Sequence, residues 1–590
     1  MTGLRGNRAG IVIIMLALWG IVVLGCVPPG QENTANKIGS SPQSAETLLD
    51  NVSGIIRQKL SGTQTPGSVP IDGEKVKIYS SLPALYQTRD YKPVWIGENG
   101  PIPETNVMIE AIKNSSREGL NPENYNLKEI EDTLSRIKAG SGSGKSPGPE
   151  LLAELDILLS TSFLKYANNL LYGQISPERI NLELIFGEKP VDLNTLLITA
   201  VNENKINETL AGLLPKYPVY DRLRTALAEY RQYEAEGGWK QIPEGPKLRK
   251  GARGERVTAL KERLVVTGEL DSSAPGSDVF DETLEQALRK YQEINGLYVD
   301  GVAGDSTVES LNVPAGERVK QIVLTMERWR ILPQDLGSKF VLVNIANYHL
   351  YAVDNNRDSV SMRIVVGKPK WNTPIFSEQM THIVINPYWN IPPSIFRDDI
   401  APLIKSDPDY MADRNIQALG LNMEQPETTD ETEVALAKEE YITKVLSGNY
   451  RLRQNPGPSN PLGRIKFLFP NKYSVYLHDT PNRGYFQRSQ RNFSHGCIRV
   501  EKPVELAEFV LSSDPEWTGE RIQSAISRGR TQTVNLPVPV TVYILYFTAW
   551  ANDDGSVSFH KDVYGLDQVL QNALLQSESR KMDVAATNIR

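Results

Sequence analysis

Two histidines lie close to Cys497, the second of the two cysteines in this chain. His478 precedes Cys497 by 19 positions and His495 by two, although the 590 residues include only five histidines. The thiolate is the reactive form of cysteine, and a nearby imidazole can remove the thiol proton and return it to a leaving group. A lone cysteine is more often a small buried hydrophobic residue. The clustered histidines instead favour a cysteine nucleophile that transfers acyl groups.

The predicted secondary structure brings these groups together. Strand-like runs joined by tight turns predict a mainly β domain over residues 339–550. His478 ends one such run, and the spacing of two between His495 and Cys497 places both on the same side of an extended segment. Residues 394–459 interrupt this domain with an acidic, partly helical stretch. An insertion of this length is typical of a lid or a binding element, with a solvated acidic surface as the alternative.

The residues around the cysteine resemble a known signature. His478, fifteen intervening residues, then Ser494-His495-Gly496-Cys497 and Arg499 resemble the motif of the L,D-transpeptidase catalytic domain, the penicillin-insensitive cross-linkers of bacterial peptidoglycan. Other runs resemble the large multidomain periplasmic type of that family: Gly367 to Pro369, Asn372 to Phe376, Asn386 to Pro393, and Gln454 to Gly463. That type has a helical scaffold domain, a peptidoglycan-binding domain and a lid insertion in the same order.

The resemblance also assigns roles at the site. Carried over by position, it makes Cys497 the nucleophile and His478 the base, with the imidazole oriented by the backbone carbonyl of Asp479. His495 matches the second histidine of the motif. Backbone N–H groups around Gly496 are expected to form the oxyanion hole, where a side chain would obstruct the approach of the acyl group.

Four residues are candidates for substrate contacts. Arg499 either binds a stem-peptide carboxylate as a bidentate fork or holds the cysteine loop through a structural ion pair. Tyr388 and Trp389 either line the substrate cleft or are buried aromatic residues. Asp479, beside the base, is counted with them. No metal or organic cofactor is expected, because thiolate, imidazole and backbone dipoles supply the chemistry.

The length of the chain predicts several folding units, in a multidomain α+β arrangement. Leucine and aromatic residues at spacings of three and four predict a helical core in the first half. Residues 248–312 resemble the small three-helix peptidoglycan-binding domain, and either bind glycan strands or only position the next domain. The expected order is a signal and lipobox segment (1–26), a linker (27–43), a helical scaffold domain (44–243), a peptidoglycan-binding domain (244–315), a connecting helix (316–338), a catalytic domain (339–550) with its insertion at 394–459, and a C-terminal segment (551–590).

The N-terminus has the features of an export signal. Arg5 and Arg8 precede an uncharged run from Ala9 to Gly30. Within it, Val23-Leu24-Gly25-Cys26 resembles the lipobox of bacterial lipoproteins, which implies acylation of Cys26. An uncleaved anchor and simple cleavage are the alternatives, because the run approaches the ~20 residues that span a bilayer. Each alternative places the rest of the chain in the periplasm or cell envelope, with the membrane as an N-terminal partner in two of them.

Composition excludes several other functions. The 64 Lys and Arg residues against 71 Asp and Glu give a net charge of −7 without a long basic run, so nucleic acid is not an expected partner. Two cysteines are too few for a disulfide framework, a zinc cluster or an iron–sulfur centre.

The resemblance implies a two-step acyl transfer in cell-wall biosynthesis and remodelling. Cys497 attacks the carbonyl of the third residue of a tetrapeptide stem and releases D-alanine. The side-chain amine of the third residue of a neighbouring stem then resolves the thioester. Water or a protein lysine as the acceptor gives the alternatives of a carboxypeptidase, an amidase, or an enzyme that attaches protein to the wall. A wall-binding protein without activity is a further alternative, against which the intact motif speaks.

Overall fold

The computed structural model describes residues 42–61, 68–71, 74–142, 148–180, 183, 191–273, 277–355, 357–421 and 431–586. The predicted signal and lipobox segment, including Cys26, lies outside these residues, as does nearly all of the predicted linker. Over the described ranges, no helix combines the length and apolar character that crossing a bilayer requires.

The first part of the chain is a helical domain built around one long helix, α5. This helix is buried on nearly all sides, and its buried residues include polar side chains such as Asp156 and Ser160 beside the apolar ones. The predicted core stripe lies on it and is buried: Leu152, Leu155, Leu159, Phe163, Tyr166 and Leu170. The helices are α1 (Pro42–Leu60), α2 (Leu82–Thr88), α3 (Pro103–Lys113), α4 (Leu127–Gly142), α5 (Pro149–Tyr172), α6 (Leu193–Asn202), α7 (Ile206–Gly212) and α8 (Pro218–Ala235). Four short strands form two antiparallel pairs: β1 (Ser68–Ile71) with β2 (Glu74–Lys77), and β3 (Ile96–Gly97) with β4 (Gly100–Pro101).

A three-helix domain with its own core follows. Its helices are α9 (Glu255–Val266), α10 (Glu282–Ile294) and α11 (Asp305–Leu311). The fully buried Gln292 of α10 accepts from the N–H of Gly301 and donates to Asp300, which holds the predicted turn against the helix. Gly301 has a φ of 71°, and a Cβ there would lie 2.7 Å from Glu285, so this turn requires glycine.

Helix α12 (Ala315–Ile331) then connects this domain to the remaining part of the chain. Its Glu327 and Arg330 form a fully buried ion pair at 2.7 Å. Glu327 also accepts from the N–H of Gln174, and Arg330 donates to the hydroxyl of Tyr220, so the pair joins α12 to the helical domain. Each charge therefore has several polar partners, as burial of an ion pair requires.

The C-terminal half contains a mixed sheet of nine strands. The order is β14-β7-β15-β13-β12-β8-β16-β5-β6, and an additional pairing of β7 with β6 closes the sheet on itself. Its apolar interior is the second large core of the protein. The strands are β5 (Lys339–Asn344), β6 (His349–Asp354), β7 (Arg357–Gly367), β8 (Phe376–Ile385), β12 (Ile465–Leu468), β13 (Leu477–His478), β14 (Asn492–Ser494), β15 (Ile498–Val500) and β16 (Gln532–Leu545).

The predicted insertion is a small subdomain between β8 and β12 with its own core. Strands β9 (Trp389–Asn390), β10 (Ile416–Leu419) and β11 (Arg451–Gln454) form a separate sheet in the order β10-β11-β9. Its helices are α13 (Pro393–Ile395), α14 (Ala401–Ser406), α15 (Tyr410–Asp413) and α16 (Glu431–Leu446). Trp389 and Leu462 belong to the same core, so the folded unit extends past the predicted limits of 394 and 459.

The C-terminal segment packs against the helical domain, α12 and the three-helix domain. After α17 (Pro503–Leu511), α18 (Gly519–Ser527) and β16, the hairpin β17 (Ala549–Ala551) and β18 (Val557–Phe559) packs on α8 and α12, and α19 (Leu566–Ala586) follows. The N–H of Phe559 donates to Asn295 of the three-helix domain at 3.0 Å. The predicted multidomain α+β fold with helical domains before a β domain is confirmed.

Candidate active site

Adjacent strands bring the candidate nucleophile and base together. Cys497 directly precedes β15, and β15 pairs in parallel with β13, which ends at His478. The register sets His478 opposite Arg499, while Lys466 of β12 lies opposite His478 on the other side. Residues separated by 19 positions are therefore neighbours across one sheet.

The imidazole of His478 is buried and oriented by the main chain. Its Nδ1 donates to the carbonyl oxygen of Asp479 at 2.5 Å, because a carbonyl can only accept. This tautomer leaves Nε2 with a free lone pair. Burial lowers the pKa of His478 to about 3, and the nearby charges of Arg499 and Lys466 act in the same direction. The imidazole is therefore neutral at pH 7, as a general base must be.

The thiol of Cys497 is half-buried and neutral at rest. Its Sγ lies 3.9 Å from the carbonyl oxygen of Ser474, and within the described parts of the chain no hydrogen bond links it to His478. Burial raises the pKa of the thiol, although Tyr476 and the charges of Lys466 and Arg499 act against that rise. The thiol must rotate toward Nε2 before its proton can be transferred.

Two further side chains border the thiol and were not singled out from the sequence. The ring of Tyr476 packs edge-on to that of His478, with centroids 5.7 Å apart. Lys466 Nζ lies over the Tyr476 ring, 3.8 Å from its centroid, as a cation–π contact. Tyr476 also acts to lower the pKa of the Cys497 thiol, against the rise caused by burial. The spacing of two between Tyr476 and His478 puts them on one face of a strand, a signal that could have identified Tyr476.

The motif loop is held in shape by a serine hydroxyl. Ser494 Oγ accepts from the N–H of Gly496 at 3.1 Å and donates to the carbonyl of Cys497 at 2.6 Å. Gly496 has a φ of 111°, which explains glycine at this position. Because its N–H is engaged, Gly496 is not itself an oxyanion donor. The N–H groups of His495 and Cys497 have no acceptor among the described residues and are the remaining donors.

A buried threonine in the connection between β7 and β8 supports the same loop. Thr373 Oγ1 donates to the carbonyl of Gly496 at 2.8 Å and accepts from the N–H of Gly367 at 2.9 Å. A Cβ on Gly367 would lie only 2.0 Å from the carbonyl of Trp371, so the approach requires glycine. Thr373 lies in the run Asn372 to Phe376 that resembles the family, but its contact with Gly496, 123 residues away, was not predicted from the sequence.

His495 faces the insertion. Its Nε2 lies 3.0 Å from Oδ2 of Asp399, although the two atoms are not aligned as a hydrogen bond. Its ring packs on Trp371 with centroids 4.3 Å apart. Burial lowers the pKa of His495, while the carboxylate of Asp399 acts in the opposite direction. The insertion therefore contacts the catalytic motif through a charged side chain that sequence reasoning did not identify.

Arg499 has no carboxylate partner in the described structure, so the structural ion pair is not found there. Its guanidinium lies 5.6 Å from the ring centroid of Tyr485, and its Nε is buried without a hydrogen-bond partner. Burial lowers the pKa of Arg499. A buried guanidinium that lacks an anion is suited to a ligand carboxylate.

The other three substrate-contact candidates lie in different surroundings. Tyr388 is 41% exposed, and the guanidinium of Arg453 lies over its ring, 4.5 Å from the ring centroid. Trp389 is buried in the core of the insertion, which agrees with the alternative of a buried aromatic residue. Asp479 is also buried: its carboxylate accepts from the N–H of Arg464, so its contribution to the site is the carbonyl that orients His478. No cluster of three or more His, Cys, Asp or Glu side chains in the described ranges is placed to hold a metal ion.

Three stretches of the chain match known domain families. Residues 80–227 match the family described as "Scaffold domain", and residues 253–311 match the "Putative peptidoglycan binding domain". Residues 338–540, which include the whole of the site above, match the "L,D-transpeptidase catalytic domain".

Parts of this chain are similar in sequence to parts of known proteins. A "Putative L,D-transpeptidase" of Haemophilus influenzae is 30% identical over 288 residues, which are 47% of this chain and 56% of that protein. The "N-acetylmuramoyl-L-alanine amidase CwlM" of Mycobacterium tuberculosis is 34% identical over 76 residues, 12% of this chain and 19% of that protein. The chain thus spans about half the length of the first relative and a fifth of the second.

Among solved structures, the L,D-transpeptidase (Yku) from Stackebrandtia nassauensis shares 12% sequence identity, with a TM-score of 0.20 over 52% of this chain and 96% of that one. A TM-score this low supports no conclusion about fold or function.

Proposed function

Since the chain carries an L,D-transpeptidase catalytic domain and a peptidoglycan-binding domain, we propose that it cross-links the third residues of peptidoglycan stem peptides through a thioester on Cys497. The observation that supports this most directly is the pairing of β13 with β15. It sets a neutral His478, with Nε2 free, beside a strand that begins directly after the only described cysteine.

In the first step the thiol of Cys497 gives its proton to His478 Nε2 as sulfur attacks the carbonyl of the third stem residue. The N–H groups of His495 and Cys497 stabilise the oxyanion, an interaction whose loss typically costs about 3–4 kcal/mol. The C–N bond then breaks. His478 returns the proton to the departing amine of D-alanine, and the acyl group remains on sulfur as a thioester.

In the second step the side-chain amine of a neighbouring stem attacks the thioester. His478 accepts a proton from this amine and returns it to the departing sulfur, which restores the thiol and leaves an amide. Arg499 supports the reaction by binding a stem carboxylate, since its buried guanidinium has no anion of its own. The insertion excludes water from the thioester, which favours an amine over hydrolysis.

Intact-protein and muropeptide mass spectrometry test this function. The chain without its N-terminal 43 residues is incubated with purified disaccharide tetrapeptides, with Cys497→Ser as the matched control. We expect a transient acyl adduct on Cys497 and dimers linked through third residues, neither of which forms with the control. Tripeptide alone would identify water as the acceptor, and an adduct elsewhere or none would overturn the proposal.

We also propose that the protein acts outside the cytoplasm, because its matched domains act on or bind the cell wall. Acylation of Cys26 would then hold it at the membrane. Metabolic labelling with a palmitate analogue is expected to mark the full chain and not its Cys26→Ser variant. Labelling of both the full chain and the Cys26→Ser variant would show that Cys26 is not the site of acylation.

A further inference from the structure

A large groove lies between the three-helix domain and the catalytic sheet. Its volume is about 1080 Å³. One wall is the α10–α11 connection with Tyr298, and another is α12. The opposite wall consists of residues 346–348 and 487–490 of the catalytic domain, and residues 559–563 of the C-terminal segment form the floor. The groove is therefore a composite of parts that are far apart in sequence.

Specific contacts hold these walls in place. Asn295 of the three-helix domain accepts from the N–H of Phe559 at 3.0 Å. Gln321 of α12 donates to the carbonyl of His560 at 3.1 Å, and the guanidinium of Arg318 lies 4.5 Å from the ring centroid of Phe559. The space is thus bounded by specific contacts between buried or partly buried groups and is not a gap between loosely placed domains.

The lining has no net charge and is rich in uncharged polar groups. Four basic side chains (Arg318, Lys320, Arg488 and Lys561) are balanced by four acidic ones (Glu309, Glu317, Asp562 and Asp567). Asparagine and glutamine side chains, which both donate and accept hydrogen bonds, line the same walls. Tyr298 stands at the groove with 65% of its surface exposed. Such a surface suits an uncharged polymer of hydroxyl and acetamido groups, with an aromatic face for a sugar ring, better than a polyanion.

A series of ring contacts connects one wall of the groove to the active site. Phe493 lines the groove, and its ring stacks on Tyr485 with centroids 5.1 Å apart. The guanidinium of Arg499 lies over the ring of Tyr485. The residue after Phe493, Ser494, is the first residue of the motif that ends at Cys497. A polymer in the groove would therefore lie beside the residues that receive its peptide branches.

We propose that this groove binds the glycan strand of peptidoglycan and that it aligns the strand with the active site, so that an attached stem peptide reaches Cys497. The proposal rests on the function proposed above and adds the place where the sugar chain is held. It assigns the binding to a composite of three parts of the chain and not to the three-helix domain alone.

Isothermal titration calorimetry with N-acetylglucosamine hexamer tests the groove, because this probe has the sugar chemistry and no peptide. Tyr298→Ala on one wall and Gln490→Ala on the other are compared with Tyr172→Ala, an exposed tyrosine of α5 outside the groove. We expect each groove variant to weaken binding by about threefold to tenfold and the control to bind as wild type. Tyr298→Phe, which keeps the ring, should retain affinity.

Three outcomes would overturn the proposal: no binding of the hexamer to the wild type, equal affinity of the groove variants and the control, or displacement of the hexamer by a free tetrapeptide. The last would identify a peptide site instead. Thioester formation by the wild type on a soluble tetrapeptide is measured in parallel. If that reaction occurs while the hexamer does not bind, the groove assignment fails and the proposed function stands. If the hexamer binds without that reaction, the proposed function fails alone.

Discussion

Burial sets the ionisation of the two reacting side chains in opposite directions. It lowers the pKa of His478 to about 3 and raises that of Cys497, so both groups are neutral near pH 7. A thiolate–imidazolium pair would require a stabilised charge on each. The cations Lys466 and Arg499 favour the thiolate but disfavour the imidazolium, and burial disfavours both. The proton is therefore expected to move as the substrate is attacked, with His478 as general base.

The raised pKa of the thiol predicts its reactivity toward a neutral alkylating agent. Only the thiolate reacts, so the rate of carbamidomethylation of Cys497 by iodoacetamide should still increase with pH above 9, the ordinary value. Rates are measured by mass spectrometry on the Cys26→Ser background, with free cysteine as the reference compound. A rate that reaches its plateau near pH 6 would show a preformed thiolate and contradict the neutral pair.

The two motif histidines are expected to differ in importance. His478→Ala should reduce the rate of thioester formation by about 100-fold or more, because general-base transfer contributes on that order. His495→Ala should have a smaller effect, since its ring packs on Trp371 and its Nε2 faces Asp399. Single-turnover rates with a tetrapeptide measure both variants. A greater loss of rate in His495→Ala than in His478→Ala would assign the role of general base to His495.

At the scale of elements, a charged contact joins the insertion and the catalytic loop. Asp399 lies in the π-helical segment Phe396–Ile400 between α13 and α14 and approaches His495, which belongs to the loop after β14. A carboxylate at this point favours one position of the insertion over the loop. The contact is partly exposed, so its contribution to stability is small, and its effect is on position.

Loss of that contact should change what resolves the thioester. In Asp399→Asn we expect a larger ratio of hydrolysed tripeptide to cross-linked dimer, because a less firmly placed insertion admits water. Asp409→Asn is the matched control, since Asp409 lies elsewhere in the insertion and pairs with Lys438. Chromatographic quantification of the two products measures the ratio. Equal ratios in both variants would mean that Asp399 does not position the insertion.

For the whole molecule, a buried network on α12 contributes to joining the helical domain to the rest. Glu327 and Arg330 have no exposed surface, and their partners include backbone groups of the helical domain at Gln174 and Glu118. Tyr220 of α8 completes the network. Removal of one charge would leave the other buried and unpaired, the most costly arrangement for an ion pair.

Glu327→Ala should therefore lower the free energy of unfolding by about 3–5 kcal/mol. Glu317→Ala, which removes an exposed pair with Lys320 on the same helix, should change it by at most about 0.5 kcal/mol. Urea unfolding followed by circular dichroism compares the variants. Similar midpoints for the two would show that the network does not stabilise the contact between the domains.

The sequence by itself determined the features that are local. The spacing of apolar residues identified the buried stripe of α5, because a helix of 3.6 residues per turn places such residues on one face. The histidines and the cysteine of the motif were identifiable because their residue types are scarce and chemically specific. The presence of an insertion inside a β domain followed from a change of pattern along the chain.

Only the tertiary structure decided how those residues are surrounded. Closure of the sheet brings Thr373 to Gly496 and sets Lys466 opposite His478, contacts between segments that no periodicity relates. It also decided that Trp389 packs inside the insertion and that Arg499 lacks a carboxylate partner in the described chain. The physical reason is that a pKa, an engaged N–H or an unpaired guanidinium depends on neighbours in space, and these are fixed by strand order and register.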